Sequence, residues 1–473
     1  SLETLKGDVH ASLLNFFEEN YSANQMALVV LSNETLDEMQ PWVTETFLPI
    51  KNRRLEVSKI NKPIFATGQL PAKLAFDNIK DAHRVSYAFP MPSIQKYYRK
   101  KPVQYISNLL GHEGDGSLHA LLNEKGWIKG LSAGESQMDE GNSVMAVNIS
   151  LTEAGSVHVD EISAYLFAYL DLLKAGQIEE WIYQEQATAA QLAFRFSEKT
   201  SAMNAVRSIA PALQHYPAKD LLVAPYLMEA FDASLIRSFL SKITKDNVLV
   251  TVSSPGYKGQ STEAWFGVSY DLELGEISVA AVDSSALQLP EANPFLPESF
   301  DLTQGDTLGP KPVIADNGLE LYMDTDLEFN VPRAVIHVSL RNDGGFIALA
   351  DAAQAQLYRR LVQDDLNALA YPALLAGVSY QISAPPRGFR VSVGGYNDKQ
   401  LVLLEEVLAR LMSLSIKADR FDVMKGELIK DLANTLKNKP FRQSYQRLTD
   451  ELLDSSWTAE QVIGALEGVT PHT

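Results

Sequence analysis

One order of structural elements occurs twice in this sequence, and this repetition limits the fold more than any other feature. The tetrapeptide Leu-Ser-Ala-Gly at 131–134 is followed by one strand pattern and two long helical patterns. Leu-Leu-Ala-Gly at 374–377 is followed by the same order, with its strand pattern at 389–393. The copies are too far apart for a solenoid repeat. The matching order therefore predicts duplicated α+β domains.

Polar and proline-rich stretches divide the chain into units. An apolar run at 26–31 predicts a buried strand, and a helical pattern follows it before a polar, basic stretch begins. A later stretch contains five prolines and no periodicity, which is typical of an extended linker. The predicted division is 1–57, the C-terminal remnant of a first domain; 64–285, a second domain; 286–312, a linker; and 313–473, a third domain that is incomplete at its C-terminus.

Composition excludes several classes of function. The 473 residues carry a formal net charge of −18, which would repel a nucleic-acid backbone, so we expect no nucleic-acid partner. The chain has no cysteine, which excludes disulfides, thiolate metal sites and cysteine nucleophiles. No apolar run reaches the roughly 18 residues that a membrane span needs, so we expect no membrane span.

The histidines do not form a recognisable zinc motif. His112 and Glu113 begin like His-Glu-x-x-His, but Gly116 stands where the second histidine is needed. His158 begins like the inverted motif His-x-x-Glu-His, but Ile162 stands in the last position. A zinc site needs at least three correctly placed protein ligands. We therefore expect no metal ion in this chain.

The segment 130–134 fits the Gly-x-Ser-x-Gly pattern of a serine nucleophile. That pattern is meaningful only on a sharp turn between a strand and a helix. Here a helical pattern precedes it and a strand pattern follows it, so a serine hydrolase is the weaker interpretation. Small residues at these positions leave the backbone accessible, which favours a strand or turn that another backbone approaches closely.

Several separate segments resemble one known family, and they occur in the same order as in that family. The longest is YISNLLGHEGDGSLHALLNEKGWIKGLSAG at 105–134. It resembles a signature in the second domain of the insulinase/pitrilysin zinc peptidases, peptidase family M16. Further similar segments lie at 20–24, 89–98, 193–196, 215–217, 262–267 and 395–400. The resemblance implies an α+β fold of repeated homologous domains, each an antiparallel-rich sheet packed by helices.

The same resemblance implies a function for the whole protein. Members of this family are zinc metalloendopeptidases in which four homologous domains enclose a chamber that degrades peptides. Their zinc ligands lie in the first domain, so the resemblance places zinc and all catalytic residues outside this chain. The expected partners are peptide substrates and the missing N- and C-terminal parts of the same protein. We expect this fragment to be inactive alone, and bacterial relatives suggest a periplasmic location, with a cytoplasmic location as the alternative. The alternative is a non-catalytic scaffold or subunit with the same fold.

The resemblance also implies a substrate-binding exosite in the second domain, where an added peptide strand is anchored by its N-terminus. The residues that match are His112, Gly114, Gly116, Leu131, Ser132, Ala133 and Gly134. An edge of small residues can form main-chain hydrogen bonds without requiring a particular peptide sequence. The alternative is that a neighbouring element covers this edge and that the glycines only shape a turn.

Overall fold

The computed structural model describes residues 8–56, 60, 62–78, 80, 82–302, 309–342, 344–415, 418–453 and 455–471. In these residues, no helix is both long enough and apolar enough to cross a lipid bilayer. The architecture is α+β, with antiparallel-rich sheets packed by helices, and this confirms the predicted fold class.

Helices and strands are numbered in chain order. The helices are α1 Val9–Asn20, α2 Leu36–Phe47, α3 Pro102–Leu110, α4 Leu118–Glu124, α5 Glu153–Ser156, α6 Val159–Ala175, α7 Glu180–Arg195, α8 Ala202–Ala212, α9 Ala233–Leu240, α10 Leu349–Leu375, α11 Gln400–Met412, α12 Ala418–Thr435, α13 Pro440–Leu452 and α14 Ala459–Glu467. The strands are β1 Ala72–Asp77, β2 His83–Pro92, β3 Ile128–Gln137, β4 Asn142–Leu151, β5 Leu249–Ser254, β6 Ser261–Thr262, β7 Ser269–Leu274, β8 Lys311–Asp316, β9 Leu319–Met323, β10 Arg333–Arg341, β11 Val378–Ser383 and β12 Gly388–Tyr396.

The second unit contains a seven-stranded sheet in the order β3-β4-β2-β5-β1-β7-β6. Its strand pairs are antiparallel except for β1 with β5. Along β2, Val85, Tyr87 and Phe89 are fully buried while the residues between them are more exposed. Because side chains alternate along a strand, this pattern buries one face of the sheet under helices. The side chains on the other face are mostly partly exposed.

Strand β2 continues through two prolines near its C-terminal end. Pro90 and Pro92 pair with β4, whereas the pairing of β2 with β5 ends at Ala88. Beyond Ala88, therefore, β2 has a ladder partner on one side only. A proline lacks the N–H group that a second ladder would use, so it is tolerated in this position.

The third unit repeats part of this arrangement. Its three-stranded sheet has the order β10-β12-β11, and all its pairs are antiparallel. In chain order β10, β11 and β12 correspond to β2, β3 and β4, whose order in the larger sheet is likewise β2-β4-β3. The separate pair β8 and β9 forms a hairpin with exposed side chains. Superposition of the second and third units remains a prediction.

The first unit contains no buried core in its described part. Helix α2 forms after the run at 26–31, as predicted, and neither α1 nor α2 has a buried residue. The strand predicted at 26–31 was wrong, because this segment forms no strand pairing and Met26, Leu28 and Val30 are 44–47% exposed. A strand needs a neighbour to complete its backbone hydrogen bonds, and no described segment supplies one here.

The proline-rich stretch is attached to both neighbouring units. Residues 286–302 form no helix or strand, as expected for a linker, and 303–308 lie outside the described residues. Leu287 is buried in the core of the second unit, whereas Phe295 is buried in the core of the third. Leu192 of α7 also belongs to the core of the third unit. The linker and α7 therefore join the two hydrophobic cores.

Polar contacts connect the second and third units around α10 and α12. Arg420 forms an ion pair with Asp364 at 2.5 Å and donates to the carbonyl oxygen of Asn123 at 2.7 Å. Lys129 of β3 forms an ion pair with Glu427, whose side chain is only 5% exposed. These contacts place helices of the third unit beside β3 and the segments that flank it.

Candidate functional site

Strand β3 forms one edge of the seven-stranded sheet. Residues Leu131 to Gly134 pair with β4, from Ile149 to Ala146. No other described strand pairs with β3, so its second edge has no ladder partner in the part of the chain described. An open strand edge presents backbone donors and acceptors that an added strand can use.

Small side chains border this edge. Leu131 is 6% exposed and belongs to the core, and Ala133 packs against the same core. Ser132 is exposed, and a Cβ atom added at Gly134 would meet no atom within 4 Å. An approaching peptide backbone would therefore meet little steric hindrance from this strand. Ser132 lies inside β3 and not on a strand-to-helix turn, which argues against a nucleophile elbow.

The glycine loop, residues 111–116, connects α3 with α4. Ser117 caps α4 by accepting a hydrogen bond from the Ala120 N–H group at 3.0 Å. Gly116 has φ +75°, and a Cβ there would lie 2.9 Å from the Cβ atom of Gln288. At Gly114, a Cβ would lie 2.7 Å from the His112 ring. Backbone geometry and close packing therefore require glycine at both positions.

His112 supports the loop from inside. It is 9% exposed, and its Nδ1 atom accepts a hydrogen bond from the Gly114 N–H group at 3.1 Å. Burial lowers the pKa of His112 to about 4, so the ring is neutral near pH 7 and can accept this bond. The structure thus gives His112 a role in shaping the loop.

The loop and the edge strand meet at Gly111. A Cβ atom built on Gly111 would lie 3.3 Å from the Ala133 nitrogen, which is tighter than most Cβ contacts. Two groups of residues that the sequence separates are therefore adjacent in space, as the predicted site requires. The seven predicted residues fall into a supporting loop and an accessible strand edge.

The third unit also contacts this site, through residues that sequence analysis did not identify. Asn367 donates to the Glu113 carboxylate at 2.9 Å, and Tyr371 donates to the Gly111 carbonyl oxygen at 3.1 Å. The Tyr371 and His112 rings meet edge to face, with centroids 4.9 Å apart. Neither residue belongs to a motif, and both lie on a long helix far along the chain. No local sequence signal could have indicated them.

A cavity of about 750 Å³ lies beside the loop. Its walls are formed by the glycine loop, α7, the 286–296 part of the linker and α10. Asp115, Glu185 and Glu291 line it, and among the residues that the structure describes no lysine or arginine does so. Burial raises the pKa of Glu185, which accepts a hydrogen bond from the Asn293 N–H group at 3.0 Å. The electrostatic environment therefore favours a cationic group.

The histidines near the loop do not form a zinc site. The Nε2 atom of His119 lies 3.7 Å from the Glu113 carboxylate, and His112 uses Nδ1 within the loop. Among the residues that the structure describes, no three histidine, aspartate or glutamate side chains are grouped so that they could hold a metal ion. The donor set here does not fit the tetrahedral coordination that zinc requires.

Comparison with family models gives two matches. The model described as the middle or third domain of peptidase M16 matches residues 194–465. The model described as the peptidase M16 inactive domain matches residues 9–189. Together the two models span most of the chain, and the first alone covers more than half of it.

Comparison with curated proteins and solved structures agrees. Insulin-degrading enzyme from Bos taurus and that from Homo sapiens are each 32% identical over 98% of this chain and 46% of their own length. The chain thus spans about half the length of these relatives. The crystal structure of pitrilysin has a TM-score of 0.70 and 22% identity, covering 98% of this chain and 50% of its own. This structural likeness supports the fold.

Proposed function

Because the chain belongs to the peptidase M16 family, we propose that it forms the substrate-binding part and the chamber wall of a zinc metalloendopeptidase. The relatives named insulin-degrading enzyme support a peptide-degrading activity for the whole protein. The observation that carries the proposal is the open edge of β3 beside the glycine loop.

Peptide binding follows from the geometry of this edge. An extended peptide beside Leu131 to Gly134 would form main-chain hydrogen bonds with β3 and extend the sheet by one strand. The exposed Ser132 and the open space at Gly134 leave room for different peptide side chains. Acidic residues Asp115 and Glu113 lie on the neighbouring loop and would attract a peptide's ammonium terminus.

The partly exposed face of the same sheet suits a chamber wall. Between the buried positions of β2, the residues on this face are Ser86, Ala88 and Pro90, and on β4 they include Ala146 and Asn148. These are small or uncharged side chains. A surface of this kind would allow varied peptides to move across it without strong selection.

The zinc ion and the hydrolytic step belong, in this proposal, to another part of the whole protein. The described residues do not fit zinc, and neither zinc motif is complete in the sequence. When bound elsewhere, zinc would activate the water molecule that attacks the peptide bond. We expect no hydrolysis of a fluorogenic peptide by this chain alone, even with added zinc.

The test uses peptides whose backbone N–H groups are selectively removed. A fluorescent peptide with a free N-terminus would be titrated against the chain, and fluorescence polarisation would give its affinity. Two further peptides would carry N-methyl groups at odd or at even positions. Since alternate N–H groups of a strand point to opposite sides, strand addition requires that one methylated set binds far more weakly than the other.

Two proline variants supply the matched control on the protein. Successive N–H groups along β3 point to opposite edges, so Ser132→Pro and Ala133→Pro should differ. One should weaken peptide binding while leaving the sheet intact, and the other should break pairing with β4 and lower stability. Equal affinity for both methylated peptide sets, together with two proline variants that bind like wild type, would contradict strand addition at β3.

Binding by this chain would also occur in a non-catalytic scaffold of the same fold. Activity of the whole protein separates the two functions. Hydrolysis that a zinc chelator abolishes supports the peptidase, whereas peptide binding without hydrolysis supports the scaffold.

A further inference from the structure

We propose that the first unit of one chain docks onto the third unit of a second copy and donates a helix and a strand to it. The donated segment is 9–32, which contains α1 and the apolar run at 26–31. The receiving surface is the free edge of β10, together with β9 and an apolar cavity beside them. This surface and this partner are separate from those of the proposed function.

The donated segment repeats a part of the second unit. Residues 11–32 align with residues 233–254 without an insertion or deletion. The residues identical to their counterparts are Ala11, Ser12, Leu13, Phe17, Val30 and Ser32. In the second unit this stretch forms α9 and then β5, which lies between β2 and β1 inside the sheet. The donated segment therefore has the sequence of a helix followed by a central strand.

The apolar side chains of these two stretches differ in burial. Val250 of β5 is 1% exposed, whereas its counterpart Leu28 is 47% exposed. Phe239 of α9 is 4% exposed, whereas its counterpart Phe17 is 48% exposed. A contiguous apolar surface of this kind marks an interaction site. The donated segment thus lacks the neighbouring strands and helices that α9 and β5 have.

The third unit has the opposite deficiency, because its sheet lacks a central strand. Strand β2 pairs with β4 on one side and with β5 on the other, and β1 lies beyond β5. The corresponding strand β10 pairs with β12, and none of the described strands pairs with its other edge. Strand β9 precedes β10 as β1 precedes β2, and its described partner is β8. One strand of the β5 type between β10 and β9 would complete both ladders and join the two sheets.

A cavity of about 460 Å³ lies where a helix of the α9 type would pack. In the second unit, Phe239 of α9 meets Tyr97 edge to face, with ring centroids 5.6 Å apart. Phe346 follows β10 at the same separation as Tyr97 follows β2. The other apolar side chains that line the cavity include Leu357, Tyr358, Leu361, Phe389 and Phe421. The Phe17 ring of a docked α1 would enter this cavity.

The two surfaces carry opposite charges. Residues 8–38 contain six aspartates and glutamates and neither lysine nor arginine. Strand β10 and residues 385–396, which include β12, contain four arginines and no acidic residue, and β9 adds one glutamate. Complementary charge favours one docking orientation and speeds association. Since each copy carries both surfaces, the contact is head to tail and builds rings or open chains.

The test measures the mass of the assembly by analytical ultracentrifugation of the whole chain over a wide range of concentration. We expect the mean mass of wild type to rise above that of one chain as concentration increases. Added salt should lower it, because salt screens the attraction between the two surfaces. Circular dichroism would establish that each variant is folded, which we expect for changes at Leu28 because this side chain is exposed in the single chain.

Two neighbouring substitutions form a matched pair. Leu28→Thr changes a side chain whose counterpart in β5 is buried, and it should raise the dissociation constant by about tenfold. Val29→Thr introduces the residue that β5 itself has at this position, Thr251, and it should stay within about twofold of wild type. The two side chains point to opposite faces of the strand, so docking in the β5 manner must distinguish them.

A mixing experiment isolates the head-to-tail contact. Leu28→Asp places a charge at the buried position and disables the donated segment. Gln354→Trp fills the receiving cavity from a half-buried position on α10. Each variant alone should be monomeric, and their mixture should form a dimer that does not grow, because one donor and one acceptor remain intact.

Three results would overturn the proposal. The first is wild-type protein that stays monomeric at every concentration. The second is association that Leu28→Thr and Val29→Thr weaken to the same extent. The third is a mixture of Leu28→Asp and Gln354→Trp that contains no dimer.

Discussion

The ion pair between Lys129 and Glu427 provides a quantitative test of how the second and third units are joined. The Lys129 side chain is 24% exposed, whereas that of Glu427 is 5% exposed. Replacing Lys129 by Ala would leave a carboxylate buried at the interface without its cation. Replacing Glu427 by Leu would instead leave a lysine that water can reach. The two substitutions should therefore have unequal effects.

Breaking a buried pair by removing one partner reduces the free energy of unfolding by about 3–5 kcal/mol. Since water has partial access to the Lys129 side, we expect Lys129→Ala to reduce the free energy of unfolding by about 3 kcal/mol, the lower end of this range. We expect Glu427→Leu to reduce it by about 1 kcal/mol. The double variant Lys129→Met/Glu427→Leu should lie within about 1 kcal/mol of wild type, because an apolar pair of similar volume can replace a buried ion pair.

Urea unfolding at pH 7.5, followed by circular dichroism and tryptophan fluorescence, would measure these differences. Lys430→Ala is the control, because its partner Glu153 is 77% exposed and the pair should contribute less than about 1 kcal/mol. The difference in the free energy of unfolding between wild type and Lys129→Ala should become smaller towards pH 4, where the unpaired carboxylate can take up a proton. Equal losses for Lys129→Ala and Lys430→Ala would refute the reasoning.

Two further predictions concern single residues. Gly155→Ala should lower the free energy of unfolding by more than about 2 kcal/mol, because the new Cβ would lie 1.9 Å from the Trp127 carbonyl oxygen. Gly464→Ala is the control in α14, where the new Cβ meets no atom within 4 Å and the better helix former should raise the stability slightly. Thermal unfolding of both variants and wild type would measure the two effects. Between pH 6.5 and 4, the free energy of unfolding of His112→Asn should fall less than that of wild type. Burial lowers the folded-state pKa of His112 to about 4, so the unfolded state binds the proton first as the pH falls, and wild type should lose up to about 3 kcal/mol across that window. Denaturation curves of both proteins at several pH values would show whether the difference exists.

Local patterns were sufficient to predict the elements that bury one face. Strand β4 and the long helices α6 and α7 follow the segment 131–134 in the predicted order. The fold class followed from the repeated order of elements and from the family resemblance. For the site, the sequence identified the loop and the strand separately, and the resemblance joined them.

Non-local contacts could not be predicted in the same way. The run at 26–31 has the composition of a buried strand, but composition does not show whether a neighbour is present to pair with it. Pro90 and Pro92 remain in β2 only because β5 stops pairing at Ala88. Asn367 and Tyr371 reach the loop across a large separation in sequence, and their identities alone do not reveal it.

The shared packing of Leu192 and Phe295 has a consequence for what counts as a domain in this protein. Both side chains complete the core of the third unit, although one comes from α7 and the other from the linker. A chain divided before residue 286 would separate Leu192 from that core, and one divided before residue 313 would remove Phe295 as well. The boundary visible in the sequence thus passes through a common hydrophobic interior. The two units should gain and lose their structure together, as a single cooperative body.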